Sequence, residues 1–398
     1  MTSPAPLPSR PVNLADNTIG DEEIAAVEKV LRSGWLSPGP ETSAFEEEFA
    51  AALGASAAVA VSSGTAALHL AVLALGLRPG DEVIVPSLSF VASAAVVALH
   101  GGVPVFADVL SETEPTVSPS EVERLIGPRT RAVVVMHNAG YPARVREIVA
   151  LAARHGVTVI EDAAHAPVVR HGNQALGTFG DLGCFSFFAT KNLTTGEGGM
   201  VVARDPELLG RVRSLRSHCL TRTTWDRVQT GGADYDVPGL GLNYRPTEIS
   251  SAIGRVQLSR LPADRATRAA LTHRYHRLLT EVPGLTLPFA RHEEDSAYHL
   301  LVVLLPPGVP REEVRAALSA AGVQTSVHYR PTHLFSYYRD HYPAGPLPVS
   351  EAMADRLLSL PLHARLTESD VDHVVAALAA ALARARPVAT PARTDTEG

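Results

Sequence analysis

Lysine is almost missing from this 398-residue chain, which has two, Lys29 and Lys191, against thirty-three arginines. Cysteine is as scarce. Cys184 and Cys219 are too few for a disulfide framework, and neither has metal-ligand spacing. No metal is therefore expected, and the location expected is cytoplasmic. No apolar run reaches the ~18 residues that span a membrane. The opening residues, Met1 to Arg10, lack the apolar core of a secretory leader. Basic charge is short too. A formal net charge of −7 without any basic run argues against nucleic acid as a partner. A G-x-G-x-x-G turn after a strand is also absent, which disfavours a dinucleotide enzyme. What is present is ordinary for a globular chain, 45% hydrophobic and 19% charged, and long enough for two domains.

The apolar pattern alternates between strands and helices. Helices are expected over 21–33 and Glu41–Leu53. The strand Ala57–Val61 then runs through the turn Ser62-Ser63-Gly64-Thr65 into the helix Ala66–Leu75. Small residues at such a turn let backbone N–H groups approach an anion, although an ordinary Ser/Thr cap reads the same way. Further strands are expected at Glu82–Pro86, Pro104–Val109, Arg131–His137 and Val157–Ile160. Helices at Val91–Leu99 and Ala143–His155 intervene, and Ser118-Pro119-Ser120-Glu121 predicts a capping box. Apolar runs without alternation, separated by helices, predict an α/β fold with a mostly parallel sheet covered on both faces. Ligands bind such sheets beyond the carboxyl ends of the strands. Ser63 to Thr65, Phe90, His137, Asp162 and His165 all fall there.

Lys191 follows the expected strand Gly183–Ala189. Lys29, by contrast, lies on the polar face of the first helix beside Glu28. An amine at a strand-to-loop junction suits Schiff-base chemistry with a carbonyl. Expected next are a strand at Gly198–Arg204, a helix at Pro206–His218 and a long polar connection, Cys219–Leu242. The helix Thr247–Leu261 closes a large domain, 13–261, after a flexible arm, 1–12. A smaller domain, 262–385, is expected to hold a helix at 263–282, strands at Tyr298–Leu305 and Val323–Tyr329, and helices at Arg311–Ala321 and Glu368–Ala385. A disordered tail, 386–398, would follow.

A lone lysine, the strand-end carboxylate Asp162 and a phosphate-type turn at 62–65 together describe a pyridoxal phosphate (PLP) site. At this point the chain resembles the DegT/DnrJ/StrS sugar aminotransferases, of aspartate aminotransferase fold type I, over roughly 13–385. The motifs that carry the resemblance include Ser33-Gly34-Trp35-Leu36, Ser62-Ser63-Gly64-Thr65-Ala66-Ala67-Leu68 and Glu161-Asp162-Ala163-Ala164-His165. Thr190-Lys191-Asn192-Leu193, Gly196-Glu197-Gly198-Gly199, Asn243-Tyr244-Arg245 and Val327-His328-Tyr329 follow in family order. The resemblance implies a seven-stranded sheet in the large domain and an α+β C-terminal domain. It implies that Lys191 carries the Schiff base and shuttles the proton, and that Asp162 pairs with the pyridine nitrogen. Phe90 would stack on the ring. Ser63, Gly64, Thr65 and Ser186 would hold the phosphate, joined by Asn243 from the second subunit of a homodimer. His165 stands where many members have glutamine, near the cofactor's 3′ oxygen. His328, Tyr329 and Arg330 would face substrate.

The activity implied is transfer of an amino group from glutamate or glutamine to a keto-sugar, nucleotide-linked in the leading reading. A keto-cyclitol acceptor, formation of an aminated aromatic ring and a PLP-binding regulator without turnover remain open. Lys191 argues against the branch that has histidine there and dehydrates sugars. Cys219 replaces a common glycine and reads as a buried small residue.

Overall fold

The computed structural model describes residues 11–292 and 296–385. The expected tail at 386–398 and most of the expected arm lie outside them. Two helices, α1 (Asp21–Ser33) and α2 (Pro40–Leu53), precede β1 (Val59–Val61) and α3 (Gly64–Ala74). The alternation continues with β2 (Glu82–Pro86), α4 (Ala92–Leu99), β3 (Val103–Ala107) and α5 (Pro119–Leu125). Next come β4 (Thr130–Met136), α6 (Val145–His155) and β5 (Thr158–Asp162). A short hairpin, β6 (Arg170–His171) with β7 (Gln174–Ala175), leads to β8 (Leu182–Ser186), β9 (Gly199–Ala203) and α7 (Pro206–Leu215). Local sequence sets several ends. Gly156 closes α6 at φ 65°, where a Cβ is costly. Ser118 caps α5 by accepting from the Glu121 N–H. The Glu121 carboxylate does not close the expected capping box; it bonds Arg124 one turn on.

Seven strands form one sheet in the order β1-β9-β8-β5-β4-β2-β3. β2, β3, β4, β5 and β8 run parallel, and β9 is antiparallel to both β1 and β8. Alternate residues of one strand serve two cores. Val134 packs with residues of α3, α4 and α7, while Val133 and Val135 pack with residues of α6. Burying each such side chain is worth about 1.5–3 kcal/mol. That explains the unbroken apolar run of β4. All five parallel strands present their carboxyl ends along one edge.

The later chain departs more from expectation. Within the connection 219–242 lies a helix, α8 (Thr224–Thr230), held by a reciprocal Thr223–Asp226 cap. The two helices expected on either side of Pro262 are a single one, α9 (Glu248–Leu279). Proline inside a helix costs about 3 kcal/mol, but each half is fixed by packing. The first lies along α1 and α2, and the second buries Leu271, Tyr275 and Leu279 in a C-terminal core. That core also contains β10 (Leu301–Leu304), α10 (Arg311–Ala320), β11 (Leu357–Leu360) and α13 (Glu368–Arg384), while α11 (Ser336–His341) and α12 (Pro348–Met353) lie outside it. The expected strand at Val323–Tyr329 does not form. Val323 bridges Val12 and Ser326 bridges Ser359, so the segment never follows one partner. β10 pairs instead with β11, antiparallel. Val12 is buried in this core, so the expected arm is already anchored at its last residue.

Candidate active site

Beyond the carboxyl ends of β5 and β8 lies a cavity of about 410 Å³, within the usual range for small-molecule sites. Ser63, Gly64, Thr65, Phe90, Asp162, His165, Ser186, Lys191, His328 and Tyr329 all line it. These residues come from five separate stretches of chain. Arg330 and Asn243 are not part of the lining. Arg330 is exposed, lies 5.4 Å over the Phe335 ring and donates to the Leu334 carbonyl at 3.2 Å. Asn243 is exposed in a bridge to Ser217. His333 is buried elsewhere, with Phe106 and Glu351 as neighbours.

Ser63 caps α3, its hydroxyl oxygen accepting from the Ala66 N–H at 3.0 Å. The N–H groups of Gly64 and Thr65 fall in the first turn, where a helix offers donors without partners of its own. Gly64 is forced by close approach. A Cβ there would lie 2.7 Å from the Ser186 Cβ. The α3 turn and the end of β8 therefore meet at the floor of the cavity.

Asp162 is the last residue of β5 and is buried. Its oxygens accept from the Ser93 hydroxyl at 3.0 Å and the Ala164 N–H at 3.2 Å. Burial pushes this carboxyl up, against the lowering pull of those two donors and of the Lys191 charge. Lys191 sits five residues beyond the end of β8, with no hydrogen bond or ion pair from its amine among the described residues. Burial lowers it to about 8, against the attraction of Asp162.

Three imidazoles surround the amine. His165 Nε2 lies 2.9 Å from the Tyr329 hydroxyl, and its Nδ1 is buried without a partner. His299 Nδ1 lies 2.9 Å from Asn192 Oδ1. Asn192 donates its amide to the Ala297 carbonyl at 2.6 Å, so Oδ1 faces His299 and Nδ1 of that ring carries the proton. His328 Nδ1 lies 2.9 Å from the Ser359 hydroxyl. Burial holds all three below the usual histidine value, His328 at about 4, with the Lys191 charge acting in the same direction. Ser93, Asn192, His299, Glu197 and Phe188 have no site role in the sequence reading. Asn192 and Glu197 lie within motifs quoted above and so carry a usable signal; the rest are brought in by folding.

His137, expected at the same edge, turns away. Its Nδ1 accepts from the Ala143 N–H at 3.2 Å, so Nε2 holds the proton and donates to Glu161 Oε2 at 2.9 Å, in the interior. Cys219 is buried at φ 56°, following His218 at φ 58°. Left-handed backbone there suits the glycine that the resemblance implies at that position.

The model of the DegT/DnrJ/EryC1/StrS aminotransferase family matches residues 17–379. The chain belongs to that family. It is a PLP-dependent aminotransferase. The aminotransferase TlmJ from Streptoalloteichus hindustanus is similar at 38% identity and TM-score 0.87, over 94% of this chain and 99% of that one. DesI, solved in the presence of its TDP-sugar product, is 30% identical with TM-score 0.85, over 95% of both chains. Spr1654 from Streptococcus pneumoniae, solved in a PLP form, is 26% identical with TM-score 0.87, over 94% and 99%.

The residues present fit the cofactor. Asp162 is a buried carboxylate with no ion pair among the described residues, facing a cavity that a protonated ring nitrogen can enter. His165 Nδ1 is a buried polar atom still wanting a partner. The α3 N-terminus, Ser63 and Ser186 form an anion cradle at the same cavity.

Proposed function

We propose that this aminotransferase moves the amino group of L-glutamate, or of glutamine, to a ketone on a nucleotide-linked sugar. The observation that carries the reading is a lysine lowered to about 8 in one cavity with the buried Asp162 carboxylate. The likeness to DesI supports a nucleotide-sugar acceptor. The pathway would be deoxyaminosugar, secondary-metabolite or surface-glycan assembly in the cytoplasm.

PLP supplies an aldehyde for Schiff-base formation and a ring that takes up electrons. The chain's residues do the rest. Lys191 Nζ is partly neutral at pH 7–8, so it can both attack a carbonyl carbon and carry a proton between two carbons. Asp162 would hold a negative charge against the ring nitrogen, and Ser93 with the Ala164 N–H keeps that carboxylate aimed. Gly64, Thr65, Ser63 and Ser186 would bind the phosphate. Phe90 would cover the ring and His165 Nδ1 would meet its oxygen. His328 and Tyr329 face the substrate as uncharged groups, and Arg330 stands outside near them.

The active unit would be a homodimer, with Asn243 reaching the phosphate of the partner subunit. Leu240, Val237 and Tyr235, in the same connection, are exposed apolar residues that a second copy would cover. The test is spectroscopic. Glutamate should convert the PLP form of the purified enzyme to the pyridoxamine form with release of 2-oxoglutarate. Panels of nucleotide-linked keto-sugars and of keto-cyclitols should then restore the PLP form, and restoration by cyclitols alone would overturn the sugar reading. Lys191→Ala should lower turnover by about 10⁴-fold and remove the Schiff-base absorbance.

A further inference from the structure

Lys191 stands in a turn between β8 and β9, not on a regular element. The turn is shaped by bonds to its own neighbours. Lys191 N–H donates to the Phe188 carbonyl at 2.9 Å, Thr195 N–H to the Phe187 carbonyl at 2.9 Å, and the Thr195 hydroxyl to the Glu197 carbonyl at 2.7 Å. Bonds of this kind give a loop its form without fixing where it sits. Among the described residues, the hydrogen bonds from this turn to distant chain are made by Asn192, the residue after the lysine. Its amide donates to the Ala297 carbonyl at 2.6 Å, and its Oδ1 accepts from His299 Nδ1 at 2.9 Å.

Both partners lie on one stretch, 296–300, and that stretch is itself anchored. Ala297 N–H donates to the Gly140 carbonyl at 3.0 Å, His299 N–H to the Ala139 carbonyl at 2.9 Å, and the Ser296 hydroxyl to the Gly140 carbonyl at 2.9 Å. The turn Asn138–Gly140 lies just beyond the end of β4. The approach is close: a Cβ on Gly140 would lie 2.8 Å from the Ala297 Cβ and 2.9 Å from the His165 carbonyl. Asn192 and His299 are both buried. Burial keeps the imidazole neutral, so its one N–H is the Nδ1 proton given to Asn192. Moving a buried amide whose partners are both supplied is costly, because each broken bond leaves a polar group unpaired away from water. The place of the lysine is thereby set by the end of β4 as well as by its own loop.

We propose that His299 and Asn192 are positioning residues for Lys191: the pair holds the backbone at the lysine against the stretch 296–300, so that the amine stands within reach of a carbonyl carbon in the cavity. The inference rests on the reading of Lys191 as the Schiff-base residue. The pair itself makes and breaks no covalent bond.

The test is capture of PLP by the cofactor-free enzyme, which needs neither donor nor acceptor. Lys191 Nζ adds to the aldehyde carbon, a C=N bond forms, and the aldehyde oxygen leaves as water with the two protons of the neutral amine. Nothing is oxidised or reduced, and stopped-flow absorbance reads the rate. In His299→Leu, capture should slow by about 10–100-fold, the scale of a misplaced reacting group. Binding of pyridoxamine phosphate, which has the ring and phosphate but no aldehyde, should stay unchanged. A collapsed pocket weakens both alike, and that result overturns the proposal, as does capture at the native rate. Asn192→Ala removes the other half of the pair and carries the same comparison if His299→Leu does not fold. His299→Asn should recover most of the rate, because its side-chain N–H stands about where Nδ1 does.

A second measurement decides the route. If His299 works through Asn192, the double variant of His299→Leu with Asn192→Ala is no slower than the slower single variant. The rival route runs through His165, whose ring centroid is 4.4 Å from that of His299. It predicts that the two losses multiply, and that outcome overturns the pairing. The underlying reading is checked separately on the unsubstituted enzyme. Borohydride reduction of its PLP form should leave a pyridoxyl group on Lys191, located by peptide mass. A label elsewhere overturns the Schiff-base reading and the inference with it. A label on Lys191 with native-rate capture by both single variants overturns the inference alone.

Discussion

Glu161 and Asp162 are neighbours on β5, both buried carboxylates, and they face opposite sides of the sheet. On one side Glu161 is saturated. It accepts from His137 Nε2 at 2.9 Å, from the Gly177 N–H at 2.8 Å and from the Gly180 N–H at 2.6 Å. On the other side Asp162 has two donors, no ion pair among the described residues, and a cavity before it. The same chemical group is thus structural where its partners are supplied by the chain. Where they are left to a ligand, it is available for function.

The sharpest way to break this comparison is to remove the charge from each side in turn. Asp162→Asn should lower turnover by about 10²–10³-fold, the scale of losing one preorganised electrostatic contact. The cofactor-free protein should melt no lower at pH 7, since the carboxylate has no direct ion pair to lose among the described residues and its substitution removes a buried charge. Glu161→Gln should do the reverse. It should cost about 1–3 kcal/mol in denaturant unfolding, because the amide group that replaces one oxygen leaves a buried donor unsatisfied, with near-native turnover per folded molecule. Exchanged outcomes would sink the distinction.

A pH series sharpens the functional side. Lys191 holds its proton less tightly in the folded chain, at about 8, than at its ordinary 10.5. Between those values the unfolded chain binds more protons, so the stability of the cofactor-free protein should rise with pH across that window. The contribution is full above about 10.5 and lost below about 8. Lys191→Met should flatten that rise, and equal unfolding free energies from urea titrations at pH 8 and 10 would count against a desolvated amine.

The smallest effect concerns the aim of Asp162. Ser93→Ala removes one hydrogen bond to the carboxylate, worth about 1.5 kcal/mol. PLP affinity measured by absorbance titration should fall by about 10-fold, and thermal stability should hardly move. A loss as large as that of Asp162→Asn would mean that Ser93 does more than orient the carboxylate.

Much of this site could be read in the chain. The apolar runs closed by Asp162 and Ser186 are local patterns, and so is the small-residue turn at Ser63, Gly64 and Thr65. Their meeting at one sheet edge follows from parallel strands. The later chain was less legible because long-range packing overrides local rules there. Pro262 is an expected break that α1, α2 and the C-terminal core carry through as helix. Val323–Tyr329 has strand composition but no continuous partner, and Leu357–Leu360 pairs with β10 in its place.

The sequence by itself determined the chemistry. A retained lysine after a strand, a carboxylate 29 residues before it and a phosphate-type turn are local facts that no fold needs to supply. Tertiary structure decided which groups are left wanting a partner. It satisfied Glu161 with backbone N–H groups of residues 177 and 180, and it turned His137 inward. It also gathered His165, His299 and His328, up to 163 residues apart in the chain, around one amine, and drained their charge by burial. Hydrogen-bond satisfaction and desolvation belong to surroundings assembled from distant segments, so no local pattern can encode them.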